Sequence, residues 1–341
     1  MWQAVFGTEL PVIQAPMAGV QVSALAVAVS NAGGVGSLPC ALLTPDAMRI
    51  EMGLIRAQTD RPFNVNFFCH TPPAPDEERE RTWRALLAPY YAELGVELPR
   101  EAGPTRAPFD ETAATLLEQV KPPIVSFHFG LPAEPLLQRV RATGATILAS
   151  ATTVEEARWL AARGVHAIIA QGVEAGGHRG MFLTDDVTTQ VGTLALVPQI
   201  VRAVDVPVIA AGGIADAQGR RAALALGAVG VQVGTAYLLC PETTTGTVHR
   251  SALVSDAARH TTLTNLFSGR PARGIVNRVI RELGALRADI PRFPLASAAI
   301  QPLRTAAEAR AHGDFSPLWA GQNATGCSAI PAADLTRRLA L

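Results

Sequence analysis

The sequence has no cysteine pair close enough to chelate a metal. Cys40, Cys69, Cys240 and Cys327 lie far apart, without a C-x-x-C unit. No H-E-x-x-H or similar His/Asp/Glu spacing accompanies them, so no metal is expected. They read as reduced thiols of a cytoplasmic protein. No apolar run reaches the roughly 20 residues of a membrane span; even the apolar stretch 204–239 is interrupted by Gly, Pro, Asp and Arg. Met1-Trp2-Gln3-Ala4 lacks the basic and apolar regions of a signal peptide. Net charge is also lacking: 29 Lys+Arg balance 29 Asp+Glu, which argues against a nucleic-acid partner. What remains is a chain with 48% hydrophobic and 17% charged residues, the balance of a globular protein with a large buried core.

Short apolar, β-branched runs alternate with longer Ala/Leu/Arg segments. Eight runs read as strands: Pro11–Gln14, Val35–Ser37, Phe63–Phe67, Ile124–Phe127, Thr146–Ala149, Ala167–Gln171, Val208–Ala211 and Val229–Val233. Between them fall helical patterns, among them Ser23–Asn31, Asp46–Thr59, Pro135–Thr143, Val154–Arg163 and Ala217–Leu226. Such alternation implies parallel βαβ units buried on both faces. Eight units suggest a closed (β/α)8 TIM barrel, with a doubly wound open sheet as the alternative. Thr153 with Glu156 forms a capping-box pattern, and Gly144, Gly164 and Gly227 sit where helices stop. The barrel is assigned to residues 1–239 and 321–341, interrupted by a Pro/Glu/Arg-rich insertion at 70–111. Residues 240–320 read as a helical subdomain over the barrel mouth, and 332–341 as a short closing helix.

Barrel active sites lie at the C-terminal ends of the strands, often with a phosphate site after strands seven and eight. Those strands end in Ala211-Gly212-Gly213 and Gln232-Val233-Gly234-Thr235. Paired glycine turns there let backbone N–H groups approach an anion. The sixth strand ends at Gln171 and runs into Gly176-Gly177-His178-Arg179, which brings a histidine to the mouth beside two glycines. Gln171 can offer its amide to a ligand, and the glycines can add to the phosphate cradle. His178 can act as acid, base or donor near neutral pH, although a histidine in an exposed loop has the same sequence signature. Arg179 reads as a solvated loop arginine, and Glu155-Glu156 as a charged first helical turn. The first strand ends Gln14-Ala15-Pro16-Met17. The third carries Asn64 and Asn66 on one face, and buried amides there make sense only with polar partners. His128, at the end of the fourth strand, is a second mouth histidine. His70, His166, His249, His260 and His312 read as structural or exposed.

QAPMAGV, NAGGVGSLPC, FNVNFFCH, VSFHFGLP, EAGGHRG, AAGGIAD and VQVGTAYL, spread along nearly the whole chain, together resemble the nitronate monooxygenases, once called 2-nitropropane dioxygenases. The likeness is to the bacterial class I branch. It implies FMN contacts at Gln14 to Met17, at an Asn of the third strand, and at Gln171, Gly176, Gly213 and Gln232 to Thr235. It also implies that His178 is the active-site histidine and His128 its companion. The implied reaction is oxidation of a small anionic alkyl nitronate, such as propionate 3-nitronate, by O2 to an oxo compound and nitrite, by way of a flavin semiquinone. In that family aromatic residues of the helical subdomain face the substrate; here Tyr237, Phe267 and Phe293 are the candidates. The expected assembly is a monomer or weak homodimer. An NAD(P)H-dependent quinone or enoyl-acyl-carrier reductase on the same barrel is one alternative, and a flavin-free phosphate-binding barrel another.

Overall fold

Each of the eight apolar runs is a strand, and the strands close on themselves. The computed structural model describes residues 1–97 and 106–341. The strands, in chain order, are β1 (Val12–Gln14), β2 (Gly36–Pro39), β3 (Phe63–Phe68), β4 (Ile124–His128), β5 (Thr146–Ala151), β6 (Ala167–Gln171), β7 (Gly177–His178), β8 (Val208–Ala211), β9 (Gly230–Val233), β10 (Thr261–Thr264) and β11 (Ala272–Ile275). All but β7, β10 and β11 form one parallel sheet, ordered β1-β9-β8-β6-β5-β4-β3-β2. Its two ends meet: Ile13 bridges Val35, with Gln14 N donating to Val35 O and Val35 N to Val12 O, both at 2.9 Å. The architecture is therefore a (β/α)8 barrel, and the open-sheet alternative falls away.

Strand alternation divides the apolar residues into two layers. Ile13, Ile124, Leu148, Ile169 and Ile209 fill the barrel interior together with Trp2 and Phe6. The helix Trp2–Phe6 plugs the end of the barrel where the strands begin. The Trp2 ring occupies the space a side chain on Gly230 would need, since a Cβ there would lie 2.3 Å from it. Outward-facing residues such as Val65, Val125, Ile147, Ile168 and Val231 pack against the helix layer. The expected helices appear within a residue or two of their sequence bounds, as Ser23–Asn31, Pro45–Gln58, Glu134–Ala142, Val154–Ala161 and Ala217–Ala225; the chain closes with Ala332–Leu339.

Thr153 caps its helix, its Oγ1 accepting from Glu156 N at 3.2 Å. Glu156 does not complete a reciprocal box. Its carboxylate is fully buried and accepts from Thr152 N (2.7 Å), Thr152 Oγ1 (2.8 Å) and Phe182 N (2.6 Å). It ties the β5 turn to the loop after β7 and is no solvated first-turn charge. Gly144, Gly164 and Gly227 terminate their helices with φ of 81°, 66° and 100°.

The segment 240–320 is not helical throughout. It contains the helices Thr247–Leu253, Arg278–Leu283 and Ser297–Glu308, and also the antiparallel pair β10–β11. β7 adds to the free edge of β11, with His178 opposite Ala272. The insertion contributes the helix Glu77–Leu94; its residues 98–105 lie outside the described part. Trp83, Leu87, Tyr90 and Tyr91 of that helix share one hydrophobic core with Leu266, Ile300, Leu303 and Phe315. Trp83 Nε1 donates to Ala296 O at 2.9 Å. Among the described residues, no helix is long and apolar enough to cross a membrane.

Candidate active site

At the C-terminal ends of the strands lies a cavity of about 250 Å³. Roughly 15 Å³ on this measure holds one water, so the space suits a ligand of many atoms. Its lining includes Ala15, Pro16, Met17, Asn66, Gln171, Gly176, Gly177, His178, His128, Ala211, Gly212, Gly213, Gln232, Gly234 and Thr235. The ends of six strands thus converge where the sequence placed them. Gly177, Gly212 and Gly213 have φ of 72°, 115° and 70°, a backbone that side chains rarely tolerate.

Three expected residues do not reach the cavity. Gln14 is fully buried, and its amide is used internally: Oε1 accepts from Ser37 N at 3.0 Å and Nε2 donates to Gln21 Oε1 at 2.6 Å. Asn64 sits one layer below Asn66 on the same inward face and donates to Ser37 Oγ at 3.0 Å. Val233 follows the inward Gln232, so alternation turns it outward into the helix layer. Its carbonyl still matters, accepting from Ala15 N at 2.8 Å.

His178 is held at its backbone and at its ring. Its carbonyl accepts from Gln171 Nε2 (3.0 Å) and from His128 Nε2 (3.2 Å). Gln171 Oε1 accepts from Gly180 N at 2.7 Å, so this amide spans the loop that carries His178. The His128 bond fixes its tautomer, because a carbonyl can only accept. Nε2 of His128 therefore bears the proton, and Nδ1 accepts from Ser150 Oγ at 3.0 Å. With both nitrogens engaged, His128 positions His178 instead of exchanging protons itself. Burial pushes His128 down to about 4, against the upward pull of its bond to His178.

The His178 ring stands among aromatics, with Phe293 at 5.3 Å, Trp319 at 5.5 Å and Phe68 and Phe129 each at 6.1 Å. Burial first, then Arg106, the neighbouring His128, Arg270 and His70, hold it well below its ordinary value, so the ring is neutral at pH 7. Its Nε2 lies 2.9 Å from Ser268 Oγ, and the same hydroxyl lies 3.4 Å from Arg270 O. Nδ1 of His178 has no hydrogen-bond partner among the described residues, which leaves it open to a ligand.

Arg179, expected in solvent, is fully buried. It donates to Gly172 O (2.8 Å), Gln171 O (2.6 Å) and Gln190 Oε1 (2.8 Å), clamping the base of the same loop. His70, read as unremarkable, is buried edge-on to Phe293 at 4.8 Å, with Nε2 donating to Arg106 O at 3.2 Å. Of the expected aromatics, Phe293 meets His178, and Phe267 backs Trp319 at 5.5 Å. Tyr237 is buried instead against the closing helix, its hydroxyl 2.8 Å from Thr336 Oγ1. Sequence reasoning did not single out Arg106, Ser268 or Trp319. Each is an isolated residue in an irregular stretch, with no periodicity to mark it.

The nitronate monooxygenase family matches residues 1–341, the whole chain. The nitronate monooxygenase of Pseudomonas aeruginosa is 45% identical over 336 residues, covering 98% of this chain and 96% of that one. The solved nitroalkane oxidase of Streptomyces ansochromogenes superposes with a TM-score of 0.89 at 39% identity, covering 99% of this chain and 96% of the other. FabK of Thermotoga maritima is more distant, with a TM-score of 0.70 and 26% identity over 99% of this chain and 93% of its own. Matched along its full length, this chain is an enzyme that belongs to the nitronate monooxygenase family.

Proposed function

We propose that the chain binds FMN in this cavity and oxidises small alkyl nitronates with O2, giving an oxo compound and nitrite. The observation that carries the reading is His178, a neutral imidazole whose Nδ1 has no partner among the described residues, in a cavity lined by no Asp or Glu among them. Such a wall suits anions, and both a phosphate and a nitronate are anions.

The residues present fit FMN. Gly212 and Gly213 after β8, with Gly234 and Thr235 after β9, offer backbone N–H groups to its phosphate, and Gly176 and Gly177 add to the cradle. Gln232 lines the cavity with a buried Oε1 that has no partner, an acceptor suited to a ring N–H. Ala15, Pro16, Met17, Asn66, Gln171 and Ala211 complete the wall. When bound, FMN would supply the electron acceptor for the nitronate and the site of reaction with O2.

The chain's own residues bind, orient and exclude water. Nδ1–H of His178 donates to a nitronate oxygen, where a neutral donor adds no charge that the site must desolvate. Phe68, Phe129, Phe293 and Trp319 surround the imidazole and exclude water from it. His128 and Gln171 keep its backbone from drifting.

The test is to mix the flavin-loaded protein anaerobically with propionate 3-nitronate and follow flavin absorbance, then measure O2 uptake and nitrite in air. Bleaching by the nitronate with nitrite release is the expected result. Reduction by NADH and none by the nitronate would replace this reading with the reductase one, and a protein that takes up no FMN would sink both.

A further inference from the structure

Beside His178 the cavity carries a second cationic feature. Arg106 and Arg304 both line it. Arg304 is neutralised, with Nε 2.8 Å from Glu308 Oε1. The Arg106 guanidinium has neither a carboxylate partner nor a side-chain hydrogen bond among the described residues. The guanidinium is partly exposed and lines the cavity, so its fork of N–H donors is open to an anion there.

The position of Arg106 is built, not incidental. Its carbonyl is held by the buried His70, and three residues on Phe109 N donates to Phe68 O at 2.8 Å, tying this segment to the end of β3. Its guanidinium lies 5.8 Å over the Phe293 ring, the same ring that stands 5.3 Å from His178. Phe293 therefore sets the spacing between the two groups. Burial and the neighbouring Arg304 lower Arg106 from its ordinary value, and Arg106 is the foremost charge depressing His178. Both directions agree with a short path between these groups.

We infer that Arg106 is the carboxylate-binding residue of a second anion subsite, which selects nitronates bearing a carboxylate at the end opposite the nitronate carbon. A guanidinium fork can hold a carboxylate through two parallel N–H bonds while His178 holds the nitronate oxygen. The inference rests on the nitronate reading of His178, and its test separates the two.

Two substrate-sized pairs isolate the tail. Propionate 3-nitronate and propyl-1-nitronate have the same number of carbons and differ by the carboxylate. Succinate and butyrate are their unreactive counterparts, with a carboxylate in place of the nitronate. In Arg106→Leu, the kcat/KM preference for propionate 3-nitronate over propyl-1-nitronate falls by about 10- to 100-fold, the effect of losing one charge-assisted hydrogen-bonded contact. Arg106→Lys, which keeps the charge and loses the fork, retains part of that preference. An unchanged preference in Arg106→Leu, with flavin content and circular dichroism as in the parent, overturns the subsite. Should the parent oxidise neither nitronate, the proposed function fails. Calorimetric titration of the flavin-loaded protein still decides the subsite: succinate binding weakened relative to butyrate supports it, and equal weakening or none overturns it.

Discussion

At the scale of single residues, the protonation state of His178 decides what the site can do. An imidazolium would attract a nitronate more strongly, but burial and the surrounding Arg106, His128, Arg270 and His70 oppose that charge. In the proposed role the neutral ring offers a directed hydrogen bond instead, its orientation set by Ser268 on one side and by the doubly held His178 carbonyl on the other. Replacing His178 by Asn removes the ring while sparing the glycine turns. It should lower nitronate kcat/KM by about 10²- to 10³-fold, the usual cost of one oxyanion donor. The flavin-to-protein ratio should stay at the parent value; unchanged kinetics would remove His178 from its role. Because the group titrates below its ordinary range, kcat/KM of the parent should show no inflection from this histidine between about pH 6 and about pH 8. A pH profile with a step near pH 6.5 that disappears in His178→Asn would contradict the neutral assignment.

At the scale of elements, the stretch from Gly172 to Gly180 matters most. It is short, carries His178 and β7, and has little regular structure of its own. Arg179 supplies what it lacks, capping two carbonyls at its base, and burial lowers this guanidinium to about 9. Arg179→Met keeps the bulk but leaves the carbonyls of Gln171 and Gly172 without that donor. The expected loss is about 3 kcal/mol in urea unfolding, from two orphaned acceptors, with a fall in nitronate kcat/KM as His178 drifts. A stability change below about 0.5 kcal/mol would place Arg179 among ordinary surface positions. EAGGHRG marked this loop in the sequence but not the direction of its side chains. Whether an arginine points to solvent or turns inward depends on which carbonyls lie beneath it, and β6 and Gln190 settle that only in three dimensions.

At the scale of the whole molecule, the insertion and the segment 240–320 are one packing unit over the mouth, joined by Trp83, Tyr90 and Tyr91. Around that unit and the cavity lie four histidines that favour the neutral form. Burial pushes His70, His128 and His249 down to about 4, and His178 lower than its ordinary value by a wide margin. The sign of the consequence is definite. Between about pH 6.5 and about pH 4 the unfolded chain binds protons that the folded one refuses, so stability falls as pH falls through that window. Differential scanning calorimetry should therefore show Tm dropping by about 5 °C or more from about pH 7 to about pH 5. A Tm that holds or rises over that range would mean these histidines gain their protons in the folded state.

The sequence alone determined the eight βαβ-type strand runs and the strand ends where the mouth lies. Strand and helix periodicities repeat locally, so eight strand runs and two glycine turns marked the parallel βαβ units and the face where a ligand sits, while the pairing of β1 with β2 that closes the sheet was seen only in three dimensions. It also pointed to His178 and to an Asn of the third strand as residues of the mouth, and the structure brings His178 and Asn66 to the cavity. Tertiary structure decided the rest. Alternation turns Val233 and Gln14 away from the cavity, Gln14 bonding to Ser37 and Gln21, and depth within the barrel keeps Asn64 below it, where its Nδ2 donates to Ser37 Oγ. Contacts between residues far apart in the chain brought Ser268, Phe293 and Trp319 to the imidazole, and set Arg106 in the cavity wall with no carboxylate partner among the described residues. No local pattern encodes such meetings, because they depend on how whole layers close over one another.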